Sequence, residues 1–164
     1  MVRLQEKIRV MIVDGLALRA AGMRRELSCQ ADFDLFEFDP SEDIIIAVKF
    51  HSPDLILMHI DYYSDSGLEL FRRIMKNCPD TRAVILSAYP DDKQLLDYGE
   101  AGAVAYLDSN IPIVDLAEAI RKAYRDEYPI IGTLLASMMA PQSALKRVTD
   151  ISMKRATEQS VVTI

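Results

Sequence analysis

The amino-acid sequence predicts an α/β fold in which helices cover both faces of a parallel β-sheet. Short segments rich in β-branched and large apolar residues recur five times in the first part of the 164-residue chain. Each is followed by a segment whose apolar residues have helical spacing. Parallel strands need a long crossover connection, which is usually a helix, so this alternation is typical of parallel sheets.

The predicted strands are short and almost wholly apolar, as expected for strands that are buried on both faces of a sheet. They cover residues 8–13 (IRVMIV), 33–38, 55–58, 83–86 and 104–107. We expect a doubly wound (βα)5 sheet, and right-handed crossovers favour the flavodoxin-like strand order 2-1-3-4-5. In such sheets ligands and chemistry lie beyond the carboxyl ends of the strands.

The segments between the strands have apolar residues three or four positions apart, which predicts five amphipathic helices. These positions are Leu18, Gly22, Met23 and Leu27 in the first helix, Ile44, Ile45 and Val48 in the second, Leu68, Phe71, Ile74 and Met75 in the third, Leu95, Leu96 and Gly99 in the fourth, and Leu116, Ile120 and Ala123 in the fifth. We expect Ser41, Ser66 and Asp91 to cap the second, third and fourth helices, because their oxygens can accept hydrogen bonds from free amides.

The composition argues against several classes of protein. The chain has 19 Lys and Arg against 25 Asp and Glu, a net charge of −6, which disfavours binding of a nucleic-acid backbone by this chain alone. No apolar run approaches the roughly 20 residues that span a bilayer, and the charged start MVRLQEK is not a signal peptide. Cys29 and Cys78 have no metal-ligand spacing, so we interpret them as reduced thiols of a cytoplasmic protein.

The sequence divides into two parts. Residues 1–128 form the predicted α/β domain, and residues 129–164 form a predicted helical extension or linker with Leu145, Val148 and Ile151 as its apolar positions. This extension is too small for a core of its own, so it is expected to pack on the domain, on a second copy of the chain or on a missing segment. We therefore predict a homodimer. The apolar ending SVVTI is compatible with the start of an output domain.

The segment from 8 to about 128 resembles the receiver domain of two-component response regulators, particularly the NarL/FixJ type. IRVMIVDG resembles the first strand and its acidic turn, and LILMHIDYYSDSGLEL has the spacing of the phosphorylation strand and loop. PDTRAVILSAY resembles the fourth strand with its switch hydroxyl, and EAGAVAYLDSN resembles the fifth strand. The resemblance implies a signalling domain rather than an enzyme.

Receivers of this family move a phosphoryl group onto an aspartate. The resemblance implies an acceptor carboxylate, two acidic groups that hold Mg²⁺, a lysine for the phosphoryl oxygens and a hydroxyl that senses the product. The corresponding positions in this sequence hold His59 for the acceptor, Asp14 and Gly15 for the acidic pair, Ser109 for the lysine, Ser87 for the hydroxyl and Tyr106 for an aromatic switch.

Three of the four chemical parts are therefore altered, whereas Ser87 and Tyr106 remain as a predicted switch. We interpret these strand ends as a degenerate phosphorylation pocket that requires no metal ion or cofactor, is satisfied by hydrogen bonds and pairs Asp14 with His59. Asp61 could contribute its side chain to a metal site beside Asp14 only if its loop bends inward. The alternative for His59 is a transition-metal or pH-sensing site built with Asp14 and Asp61.

Three functions remain open at the level of the sequence. The first is a pseudo-receiver that regulates by association with a partner protein or by ligand binding, without aspartyl phosphorylation. The second is an active phosphotransfer receiver with a substituted site. The third is the regulatory part of a DNA-binding helix-turn-helix regulator. No helix-turn-helix pattern precedes Ile164, so DNA would be contacted only through a missing output domain.

Overall fold

Five strands and five helices alternate along the chain, as the sequence predicts. The computed structural model describes residues 6–61, 63 and 66–127. The elements are β1 (Ile8–Val13), α1 (Ala17–Leu27), β2 (Phe33–Glu37), α2 (Ile44–His51), β3 (Leu55–His59), α3 (Ser66–Asn77), β4 (Arg82–Ser87), α4 (Asp92–Glu100), β5 (Ala105–Asp108) and α5 (Ile113–Tyr124). All strand pairs are parallel, and the sheet order is β2-β1-β3-β4-β5. The predicted flavodoxin-like order is confirmed.

Both faces of the sheet are covered by apolar side chains. Successive residues of a strand point to opposite faces, so Met11 packs in the cluster that includes Phe71 and Ile74 of α3, whereas Val10 packs with Leu27 of α1 and other residues on the opposite face. Every residue of β3 is buried. This double burial explains why the strands contain so few polar residues until they reach their carboxyl ends.

The strand ends differ from the predicted bounds in a way that matters for the site. β3 continues through His59 and β4 through Ser87, one residue further than the apolar pattern indicated in each case. His59 is paired in register with Leu86, and Ser87 with Asp108. The polar residues are therefore the last members of hydrogen-bonded strands, which holds their backbones in place.

One of the three predicted N-cap residues caps its helix in the structure. Asp91 caps α4, and its side chain accepts hydrogen bonds from the amides of Lys93 and Gln94. The prediction that Ser41 caps α2 is wrong, because α2 begins later and Asp43 is its N-cap. The prediction for Ser66 is also wrong: it is the first residue of α3, and its hydroxyl donates to the Tyr63 carbonyl at 2.7 Å.

The buried face of α1 matches the predicted spacing only in part, since Leu27 is buried and Met23 packs against the core as predicted. Leu18 is 88% exposed and Gly22 is exposed, whereas Ala20 and Leu27 are buried. The helix is turned so that Arg19 reaches the carboxyl end of β1. The buried residues predicted for the other helices include Val48, and the structure buries it as expected.

The predicted helical extension over 129–164 and Tyr62 lie outside the described residues. Within the part of the chain that is described, no helix is both long and apolar enough to cross a membrane.

Candidate functional site

Three buried polar residues meet at the carboxyl ends of neighbouring strands. Asp14 follows β1 and is 2% exposed, His59 ends β3 and is 3% exposed, and Ser87 ends β4 and is 1% exposed. β3 lies between β1 and β4 in the sheet. The sheet order thus brings the three side chains to one edge, as the sequence predicted for this set.

Asp14 is neutralised by a residue that the sequence analysis did not consider. Arg19 of α1 donates from Nε to Asp14 Oδ2 at 2.5 Å and from a terminal nitrogen to Oδ1 at 2.9 Å. The Leu16 amide donates to the same Oδ1 at 2.9 Å. The predicted pair of Asp14 with His59 is therefore not formed, and the hydrogen bond to Asp14 raises the pKa of Arg19.

Asp61 does bend inward, but toward β4 rather than toward Asp14. Its Oδ1 accepts a hydrogen bond from Ser87 Oγ at 3.0 Å, and its Oδ2 accepts one from the Ala88 amide at 2.7 Å. Asp61 Oδ2 also lies 3.5 Å from His59 Nδ1. One carboxylate from the loop after β3 thus holds the end of β4 at two points.

His59 is a neutral imidazole in this arrangement. Burial lowers its pKa, the charge of Arg19 lowers it further, and the carboxylates of Asp14 and Asp61 only partly offset both effects. Nδ1 is buried and has no hydrogen-bond partner, since the 3.5 Å to Asp61 exceeds ordinary hydrogen-bond length. An imidazole with a lowered pKa and an unpaired nitrogen contributes no fixed positive charge at neutral pH.

The predicted switch pair lies next to this carboxylate. The Tyr106 ring is buried, and its hydroxyl donates to Gln94 Oε1 of α4 at 2.9 Å. Burial raises the pKa of Tyr106, and the neighbouring Ser87 hydroxyl acts in the opposite direction. Ser87 Oγ also accepts a hydrogen bond from the Tyr89 amide at 3.1 Å. Ser87 and Tyr106 are therefore brought together as expected, with α4 attached to them.

The two remaining predicted positions border the same edge. Gly15 is partly buried directly after Asp14, and Ser109 is partly buried after β5, where its amide donates to the Ser87 carbonyl at 2.8 Å. Ser109 and His59 both line an open cleft of about 480 Å³ that also contacts Arg19. Among the described residues, no group of three His, Cys, Asp or Glu side chains is placed to hold a metal ion.

The sequence analysis missed Arg19 and Gln94. Arg19 is five residues after Asp14 in the first turns of α1, so a basic residue close to a strand-end acid was an available signal. Gln94 lies four residues before Tyr98, on a turn whose inward side is otherwise apolar. Its contact with Tyr106 depends on how α4 packs on β5, which spacing alone does not give.

The fold and the strand edge together define a class of protein: a doubly wound α/β domain with an acidic strand end, a strand-end hydroxyl and a buried tyrosine. The sequence profile described as the response regulator receiver domain matches residues 10–121, and the chain belongs to that family.

Curated relatives include transcriptional regulators. The chain is 35% identical over 140 residues to the uncharacterized transcriptional regulatory protein YxjL of Bacillus subtilis, covering 85% of this chain and 64% of the relative. It is 31% identical over 122 residues to the transcriptional regulatory protein LiaR of Bacillus subtilis, covering 73% of this chain and 57% of that protein. The chain therefore spans less than two-thirds of the length of these relatives.

Solved structures show the same fold. A LuxR-family two-component response regulator from an Aurantimonas species aligns with a TM-score of 0.68 and 21% identity, covering 83% of this chain and 100% of that one. A response regulator from Thermotoga maritima aligns with a TM-score of 0.64 and 24% identity, covering 73% of this chain and 98% of that one.

Proposed function

We propose that this chain is a pseudo-receiver, the regulatory part of a transcription regulator that acts without aspartyl phosphorylation. Signalling then runs through association with a partner protein or through a bound ligand. The observation that carries the proposal is that the Ser87 hydroxyl and the Ala88 amide already bind the chain's own Asp61 carboxylate. Ser87 is at the position where the family resemblance places the hydroxyl that senses the phosphoryl group, and Ala88 directly follows it.

The acceptor position supports the same conclusion. His59 has no carboxylate to form an acyl phosphate, and its Nδ1 is buried. Phosphoryl transfer depends on in-line access and on neutralisation of the transferred charge. Ser109 supplies a hydroxyl where the family has a lysine, and no lysine occurs between Lys93 and Lys122.

The donor set does not fit Mg²⁺. The ion requires several hard oxygen ligands in near-octahedral geometry. Both oxygens of Asp14 are engaged by Arg19, and Gly15 has no side chain. The guanidinium also repels a cation, by about 4 kcal/mol per unit charge at about 4 Å and an effective dielectric constant near 20. Arg19 therefore provides the positive charge that a metal ion would otherwise provide.

The wider assembly is part of the proposal. Residues 1–128 act as the receiver-like domain and residues 129–164 as an extension or linker, and two copies of the chain form a homodimer. DNA is contacted through an output domain outside this chain. The output domain is supported by the length of the relatives named as transcriptional regulatory proteins, which are longer than the matched region. The ligand, where one is bound, occupies the cleft beside His59 and Ser109.

Phosphorylation of the intact chain tests the proposal. The protein is incubated with acetyl phosphate and Mg²⁺, and intact mass is recorded, with a phosphorylatable receiver treated in parallel. We expect the mass of one phosphoryl group on the control protein and none on this chain. A stable phosphoryl adduct on this chain would instead support the active phosphotransfer receiver.

A further inference from the structure

We propose that Asp61 is a tethered anion that permanently fills an anion-binding site at the end of β4. Through Ser87 and Ala88 it holds the end of β4 and the start of the loop before α4. This inference rests on the proposed function, because it concerns how the same pocket is regulated. The ligand class that the site accepts is a carboxylate or another small oxyanion.

The geometry is that of a two-point anion site. The two oxygens of Asp61 each take one donor, a hydroxyl from Ser87 and a backbone amide from Ala88, at 3.0 and 2.7 Å. Hydrogen bonds to an ionised acceptor are about twice as strong as neutral ones. Both donors belong to the β4 end, 26 and 27 residues away from the acid along the chain. The donors therefore belong to a different part of the chain from the residue that binds to them.

One positive charge lies close to this place. Arg19 feels the charge of Asp61 in addition to that of Asp14, and both raise its pKa. His59 approaches Asp61 to 3.5 Å without donating a hydrogen bond. The Asp61 side chain is 22% exposed, so this position is within reach of solutes from solvent.

The anion is linked by hydrogen bonds to the loop before α4, and a separate hydrogen bond holds the first turn of α4. Ser87 Oγ donates to Asp61 and accepts from the Tyr89 amide at 3.1 Å, which fixes the start of the loop before α4. Further along, the Tyr106 hydroxyl holds Gln94 in the first turn of α4 at 2.9 Å. The loop is thereby held at both ends, and the Tyr89 ring, 81% exposed, is presented to solvent.

Removing the tethered anion should open the site to small solutes. In Asp61→Ala, amide hydrogen exchange at Ala88 and Tyr89 should become at least about tenfold faster, which corresponds to about 1.4 kcal/mol of lost protection. Sodium acetate, compared with sodium chloride at equal ionic strength, should restore the protection in Asp61→Ala. Acetate should have no effect on the wild type, where the site is filled.

Two further variants serve as controls. Asp108→Ala removes another acidic residue at a strand end, whose carboxylate accepts only from the Asn110 amide among the hydrogen bonds described. It should leave exchange at Ala88 unchanged. Asp61→Ala combined with Ser87→Ala should lose the acetate response, because one of the two donors is gone.

The inference is overturned if exchange at Ala88 and Tyr89 is the same in Asp61→Ala and wild type, or if acetate fails to restore protection in a folded variant. Should Asp61→Ala not fold, Asp61→Asn removes the charge with nearly the same shape, and it must show faster exchange at Ala88 than wild type. A failed acetate test leaves the absence of phosphorylation untouched, whereas a phosphoryl adduct on the wild type contradicts the proposed function by itself.

Discussion

At the scale of single residues, the polar side chains of the pocket are stabilised by ion pairs and hydrogen bonds within the chain. Asp14 is paired with Arg19, Asp61 is bound by Ser87 and Ala88, and His59 is buried as a neutral ring. A cluster of carboxylates would need a cation to offset its repulsion. Here a guanidinium and a few hydrogen-bond donors fulfil that requirement, which is consistent with a site that has no use for a metal ion.

Truncation of Arg19 should be destabilising, since it leaves the buried Asp14 carboxylate with a single amide donor. Loss of one partner of a buried ion pair costs about 3–5 kcal/mol, and because Arg19 is about one-third exposed we expect Arg19→Met to lose about 1–3 kcal/mol in urea unfolding. Arg24→Met is the control, because Arg24 is more exposed and its contact with Glu37, at 3.5 Å, is longer than that of Arg19 with Asp14. If both variants have the same unfolding free energy, the Asp14–Arg19 pair contributes no more to stability than the exposed Arg24–Glu37 pair.

The stability of the fold should depend on the protonation of His59. Its folded-state pKa is lowered from the ordinary 6.5, so the unfolded state binds the proton more readily. The unfolding free energy should therefore be highest above pH 6.5 and fall as the pH drops below that value toward the folded pKa. His59→Gln should show a shallower decline between about pH 7 and pH 5. Parallel curves for wild type and His59→Gln would contradict this.

At the scale of elements, the structure separates what spacing can and cannot predict. The strands and their order follow from apolar runs and right-handed crossovers, because burial on both faces leaves few alternatives. The face of α1 was predicted only in part: Leu27 is buried as predicted, but Leu18 is exposed while Arg19 turns toward Asp14. The position of Asp61 was not predictable either, because its partners come from a strand 26 residues away.

The N-terminus of α2 gives a direct comparison of two candidate caps. Asp43 accepts from the Ile45 and Ile46 amides at 2.8 and 3.2 Å, whereas the Ser41 hydroxyl donates to Asp39 outside the helix. Replacing an N-cap by alanine costs about 1 kcal/mol. We therefore expect Asp43→Ala to lower the unfolding free energy by about that amount and Ser41→Ala to lower it by less than half as much. Equal losses would show that the two residues share the cap.

At the scale of the whole molecule, exposed apolar side chains lie on two separate sides. Leu18 on α1 and Val114 on α5 are exposed, and so are Ile46 and Phe50 on α2. Helices α1 and α5 contact each other, so the first pair belongs to neighbouring elements. Such residues commonly mark contact surfaces when they form a patch.

We expect the chain to sediment as a dimer at micromolar concentration. If the α1 and α5 side carries the contact, Leu18→Gln with Val114→Gln should shift the protein toward monomer, whereas Ile46→Gln with Phe50→Gln should not. A monomer at all concentrations in the wild type would remove the homodimer from the proposal. If only Ile46→Gln with Phe50→Gln dissociates the dimer, the contact lies on the α2 side instead.

The most direct test of the pseudo-receiver is Mg²⁺-dependent binding of beryllofluoride, a mimic of the phosphoryl group, measured by calorimetry and fluorine NMR. The wild type is compared with a rebuilt variant that carries His59→Asp, Gly15→Asp, Ser109→Lys, Asp61→Ala and Arg19→Ala, because Arg19 would otherwise engage both oxygens of Asp14. Gly15 is not among the described residues with positive φ, so the new aspartate meets no left-handed strain. We predict no binding by the wild type and binding by the rebuilt variant, because acid, lysine and free hydroxyl act as a unit. Binding by the wild type that matches the rebuilt variant would contradict the account.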